Sequence, residues 1–164
     1  MKKGMKYHMP DFNNINDLSA YVQEKIDNSL SKEVYQTVAE NEKESIEDTV
    51  FTFTPETYQR RDEYGLDDSQ NMTDNVKDGV LSVENTAFFN DDYDSTSFGF
   101  GLPSLIENGN GDNGNYYDYP YGKNARIFLK PRPFIEHTRE KLRESDDLSN
   151  ALKNGLNRQG IQTK

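Results

Sequence analysis

The sequence predicts an α+β chain, with helices at both ends and an antiparallel strand pair between them. Three observations carry this. Apolar residues recur at helical spacing from Leu18 to Val50, Asp78-Gly79 links two alternating runs, and Pro133 opens two short helical patterns that Gly160 closes. A length of 164 residues suits one domain. It is read as a flexible arm over 1–13, a domain over 14–161 with a long polar loop at about 88–125, and a short tail over 162–164.

In the first helix Asn14 or Asn16 supplies the cap and Ile15 a hydrophobic staple, with Leu18, Val22, Ile26 and Leu30 on one face. A second helix runs from about 31 to 50. Val34, Val38, Ile46 and Val50 mark its apolar face, Ala39 lies beside it, and the other face is acidic. Residues 29–32 are read as a short break, although one long helix fits the same spacing. Phe51 to Pro55 alternates like a strand that Pro55 stops. Asp-Gly suits a type I′ turn, which needs positive φ at both central residues, so strands are expected over about 71–77 and 80–87. Leu102 to Glu107 suits one helical turn, and Arg126 to Lys130 a third strand. Pro133 fits the first turn of a helix over 133–144, with Ile135 and Leu142 inward and Phe134 at the junction. Asp146 or Asp147 caps a last helix, about 147–157, with Leu148, Leu152 and Leu156 on one face.

Composition narrows the function classes. The hydrophobic fraction, 32%, allows a modest core, and the aromatic fraction, 12%, argues against full disorder. The net charge of −10 is unevenly spread. Residues 1–122 hold 9 basic against 24 acidic residues, and 123–164 hold 10 against 5. Tight nucleic-acid binding by the whole chain is therefore disfavoured. A bipolar chain of this kind is expected either to solvate both faces or to associate head to tail, basic end on acidic face. The absence of Cys excludes disulfides and thiolate metal sites. The start is charged without a following apolar run, and no stretch reaches a membrane span, so no signal peptide and no membrane contact are expected.

No constellation points to catalysis. His8 and His137 lie far apart, and Glu136-His137-Thr138 lacks the second His of a zinc helix. The Asp-rich segment 91–94 and the Asn- and Gly-rich loop 108–115 do not follow a calcium-loop spacing. The glycines at 99, 101, 109, 111 and 114 lack the Lys-Ser/Thr that completes a phosphate loop. No enzyme, cofactor or metal is expected. Interface anchors are the better reading of the Tyr- and Arg-rich segment 58–64, where Arg60, Arg61 and Tyr64 are the chosen residues; the same tyrosines could instead pin the loop onto its own domain. Arg132, held between two prolines, and Phe134 complete the candidate set. Arg132 suits an internal ion pair or an inter-subunit contact.

Several motifs occur in a recognisable order: Thr54-Pro55 to Arg61, Asp78-Gly79 to Asn85-Thr86, Leu105 to Gly109 (LIENG), Arg132 to Leu142 (RPFIE and its helix), and Leu152 to Ile161. Together they resemble the tail-component or tail-completion family of long-tailed phages and prophages of Gram-positive hosts, over about residues 14–161. The resemblance implies a small antiparallel sheet with helices packed on one side. It also implies a structural role in the virion neck, as a sixfold ring between the head-closing connector and the tail tube and terminator proteins, with DNA passing through the lumen. It supplies no catalytic residues. A head-closure stopper would occupy a similar place. Two other classes compete: an acidic DNA mimic that inhibits a nucleic-acid enzyme, suggested by the stretch 78–122 without a basic residue but opposed by the basic C-terminal third, and a metal-assisted hydrolase using the Asp-rich loops.

Overall fold

A computed structural model describes residues 10–52, 65–87, 102–109 and 131–163. Helices and a two-stranded antiparallel sheet make the fold α+β. The elements are α1 (Ile15–Ser29), a π-helical stretch (Leu30–Val34), α2 (Tyr35–Thr49), a 3₁₀ turn (Ser69–Asn71), β1 (Met72–Lys77), β2 (Val80–Asn85), α3 (Leu102–Asn108), α4 (Phe134–Glu144) and α5 (Asp147–Arg158). The chain divides into two compact units interleaved in sequence. The first comprises Met1–Thr37, Asp74–Ser82 and Asp146–Lys164, and the second Val38–Thr73 and Val83–Ser145.

In the first unit Asn14 caps α1: its side chain accepts the Asp17 backbone N–H at 2.9 Å. Ile15 is not a staple. It is 74% exposed at the first position of the helix. Phe12 packs on Tyr21 with ring centroids 5.1 Å apart, so the end of the expected arm is held to α1. The expected break at 29–32 is instead the π-helical stretch, which leads from α1 into α2 without interruption. Its widened turn packs with α5.

The closest approach there is Gly155 to Ser29. A Cβ on Gly155 would lie 2.6 Å from the Ser29 Cβ and Oγ and 2.7 Å from Glu33 Oε2. The buried face of α5 is accordingly Ala151 and Gly155, while Leu148, Leu152 and Leu156 are half-buried beside it. α5 ends in a Schellman motif: Ile161 N–H donates to the Leu156 carbonyl, Gly160 N–H to that of Asn157, and Gly160 takes φ 90°. The hairpin turn has Asp78 at φ 53° and Gly79 at φ 78°, the left-handed pair that its sequence predicts.

The core of the second unit contains Ile46, Val50, Leu66, Met72, Ala87 and Phe134. α2 contributes Ile46, and Val50 follows its last residue; Ser45, beside Ile46, is also buried and its hydroxyl donates back to the Asn41 carbonyl at 2.8 Å. No strand continues from α2 at Phe51 and Thr52, because both Val50 and Phe51 donate to the Ile46 carbonyl and close the helix end. The rest of that expected strand, and the expected third strand at 126–130, lie outside the described residues. In α4 the innermost side chains are Phe134 and Thr138; Ile135 and Leu142 are half-buried. The Thr138 hydroxyl donates to the Phe134 carbonyl at 2.7 Å, which lets a polar residue sit inside.

Candidate functional site

Of the predicted interface residues, Arg60, Arg61 and Tyr64 lie outside the described residues. The other two meet at the entry to α4. Arg132 Nη1 donates to the Val50 carbonyl at 3.1 Å, reaching the end of α2, and its backbone N–H donates to the Ile106 carbonyl at 2.9 Å. Phe134 is fully buried, so any inter-subunit effect of this residue has to be indirect.

Glu107, the acid of the LIENG motif, completes this junction. Pro133 stands at the cap position of α4, where it offers no side-chain acceptor to the first-turn N–H groups. Glu107 supplies one from 28 residues upstream. Its Oε2 accepts the Ile135 N–H at 2.8 Å and its Oε1 the Glu136 N–H at 3.2 Å. These are the second and third helical donors, which an N-cap residue ordinarily serves, and the negative charge also suits a helix N-terminus. The two motifs LIENG and RPFIE are thus one structural joint.

Asn85, from the hairpin motif, makes a second joint. Its Nδ2 donates to Glu42 Oε1 at 2.9 Å and to the Leu66 carbonyl at 2.8 Å, and its Oδ1 accepts the Ala87 N–H at 3.1 Å. Thr86 donates through both N–H and hydroxyl to the Asn71 carbonyl, at 2.7 and 2.9 Å. Asn71 Nδ2 in turn donates to the Gly65 carbonyl at 2.8 Å. Glu42 is a buried carboxylate on α2. Burial raises its pKa above the ordinary value, the Asn85 bond opposes the rise, and the nearby charge of Glu107 adds to it.

The first unit has its own polar joint. Gln159 Nε2 donates to the Lys25 carbonyl and to Ser29 Oγ, both at 2.8 Å. Arg158 pairs with Glu33 through both Nε and Nη2. The hydrogen bond from Arg158 holds the Glu33 carboxyl below its ordinary pKa, against a smaller opposing effect of burial.

Among the described residues no group of three or more His, Asp or Glu is placed to hold a metal ion, and no helix is long and apolar enough to cross a membrane. His137 is half-buried on α4. Sequence reasoning missed Glu42, Glu107, Ser29 and Gln159 as individual residues. Glu107 had a signal in a Pro-led helix that lacks a polar cap of its own. The Glu33–Arg158 pair, 125 residues apart, had none.

The fold and these joints define a small α+β protein whose distinctive polar residues tie its own segments together. A family model, YomN, matches residues 14–158. The chain belongs to the YomN family, which is phage-derived, and is a phage-associated protein. Comparison with curated proteins and with solved structures gives no match.

Proposed function

We propose that the chain is a structural protein of the phage neck, a tail-completion or head–tail joining protein. In this reading six copies form a ring between the head connector and the tail tube. The ring touches the head-closure connector on one side and the tube or terminator protein on the other, and DNA crosses its lumen. The chain is made in the host cytoplasm, acts in the virion, performs no chemistry and needs no cofactor.

The observation that carries the reading is the shared span of two likenesses. The match to a phage-derived family covers residues 14–158, and the tail-completion motifs cover nearly the same stretch. The geometry gives further support. Glu107, Asn85 and Arg132, drawn from three of those motifs, all make bonds within the chain. That use of polar residues suits a building block.

Localisation tests it. An epitope-tagged copy in purified tailed particles, labelled with gold and viewed by electron microscopy, is expected to mark the head–tail junction. A label at the tail tip, or particles free of the protein, overturns the reading. Light scattering of the purified protein across a concentration series is expected to show a ring-sized species.

A further inference from the structure

Four asparagines of this chain precede glycine: Asn108, Asn110, Asn113 and Asn154. Asn-Gly is the dipeptide that loses a side-chain amide most easily, because glycine has no Cβ to keep its backbone nitrogen from the amide carbon before it. The pairs 110–111 and 113–114 lie outside the described residues. The other two stand in opposite settings.

Asn154-Gly155 lies inside α5. Gly155 is buried, and its carbonyl accepts the Gln159 N–H at 3.2 Å and the Gln159 side chain at 3.3 Å. Ring closure there needs the Gly155 nitrogen to leave a helix with no room to shift, since a Cβ on this residue would already lie 2.6 Å from Ser29. Asn108-Gly109 stands at an open end. Asn108 is exposed and is the last residue of α3, and Gly109 after it takes φ 65°. α3 has 7 residues, about two turns, so its last turn opens at little cost. The Asn108 amide closes that turn from the side: Nδ2 donates to the Ser104 carbonyl at 2.9 Å and, more weakly, to Ser104 Oγ at 3.4 Å. Both bonds stay within α3 and are exposed to water.

We propose that Asn108-Gly109 is a site of spontaneous deamidation, and that conversion there loosens the joint between α3 and α4. The Gly109 backbone nitrogen attacks Asn108 Cγ. The N–Cγ bond forms, the Cγ–Nδ2 bond breaks, and ammonia leaves with the Gly109 amide proton, giving a succinimide. Water then opens the ring at either carbonyl. One product carries aspartate at 108. The other carries isoaspartate, whose main chain runs through the former side chain and is one methylene longer. Each product undoes something that the geometry shows. The donor to the Ser104 carbonyl is gone. A new negative charge stands at the C-terminal end of a helix and next to Glu107, and both disfavour it. Ile106, whose carbonyl accepts the Arg132 N–H, and Glu107, whose carboxylate caps α4, are the two residues just before Asn108. A frayed or lengthened turn at 108 displaces both contacts.

The test incubates full-length protein at mildly alkaline pH, which favours the attacking nitrogen, beside synthetic peptides that carry each Asn-Gly pair in its own flanking sequence. Peptide mapping by mass spectrometry reads amide loss at each position. In the folded protein Asn108 is expected to convert within about tenfold of its peptide, and Asn154 at least about a hundredfold more slowly than its own. Hydrogen exchange at the Ile135 and Glu136 N–H groups is expected to quicken in step with conversion at 108. Asn108→Gln, whose longer side chain closes a ring far more slowly, is expected to keep its starting exchange rate through the same incubation. Conversion at 110–111 and 113–114 is common to parent and variant, so the comparison isolates position 108. Asn108→Asp installs the charge without the longer main chain and should give a smaller rise. Asn108 left intact while its peptide converts, or Asn154 converting as fast, overturns the site. Conversion at 108 that leaves Ile135 and Glu136 unmoved, or an equal rise in Asn108→Gln, overturns the coupling to α4.

Discussion

Replacing Glu107 removes the only side-chain cap of α4 found among the described residues. In Glu107→Ala the Ile135 and Glu136 N–H groups lose acceptors at 2.8 and 3.2 Å, and Pro133 cannot replace them. Loss of an N-cap costs about 0.5–2 kcal/mol, and hydrogen bonds to a charged group are worth about 1.5–3 kcal/mol each when shielded from water. Both residues are half-buried, so water recovers part of the loss, and removing the Glu107 charge also relieves Glu42. The net expectation is a destabilisation of about 1–3 kcal/mol, or a fall in Tm of roughly 3–10 °C for a chain of this size. Phe134, fully buried in the first turn of α4, carries the disturbance into the core. Glu107→Gln keeps one acceptor oxygen and is expected to lose about half as much. Urea unfolding followed by far-UV circular dichroism measures the difference. Carboxyl NMR provides an independent readout, since the Glu42 pKa should move down toward its ordinary value in either variant. A Glu107→Ala protein within about 0.5 kcal/mol of the parent, the range of ordinary surface changes, refutes the joint.

Gly155→Ala gains up to about 1 kcal/mol of helix propensity but drives a methyl into Ser29, an overpacking that costs about 1–3 kcal/mol, so net destabilisation is expected in thermal unfolding. Adding Ser29→Gly should recover part of it; an unchanged Tm in the single variant would contradict the close approach. Glu42→Gln retains an acceptor for Asn85 and removes a buried charge, so it should be the more stable protein at neutral pH. Because the folded pKa of Glu42 is raised, its native state binds the proton first and the parent gains stability as pH falls toward the ordinary carboxylate value. The gap between parent and variant should therefore close on acidification, and a constant gap across pH would show that Glu42 is not the cause. Glu33 has the opposite sign. Its lowered pKa gives stability that is present above the ordinary value of 4.5 and lost as pH falls through the folded pKa. Arg158→Ala should flatten that acid limb in urea titrations at several pH values.

What was legible in the sequence was local. The Asn14 cap, the Asp78-Gly79 turn and the Gly160 stop each depend on a few adjacent residues, and each appears where the pattern puts it. Periodicity placed the helices but not always their closest contacts. In α5 the leucine row is plain, yet the helix approaches its neighbour through Ala151 and Gly155, because small side chains decide how near two backbones come. The π-helical stretch was read as a break, since apolar spacing alone does not separate a widened turn from an interruption; the contact that accompanies it lies more than a hundred residues away. Glu42 could not be singled out among 29 acids, because burial of a carboxylate is a tertiary fact with no local mark.

The bipolar charge also has a reading within a single chain. Read linearly, a basic end and an acidic front suggest copies meeting head to tail. In the structure Arg158 meets Glu33 within the first unit, and Lys141 meets Glu44 at 2.8 Å and Asp48 at 4.0 Å within the second. Arg158 and Lys141 thus answer acids of the long N-terminal helical run in the same chain. Such exposed pairs add little stability individually, but they favour the correct pairing of distant segments over wrong ones.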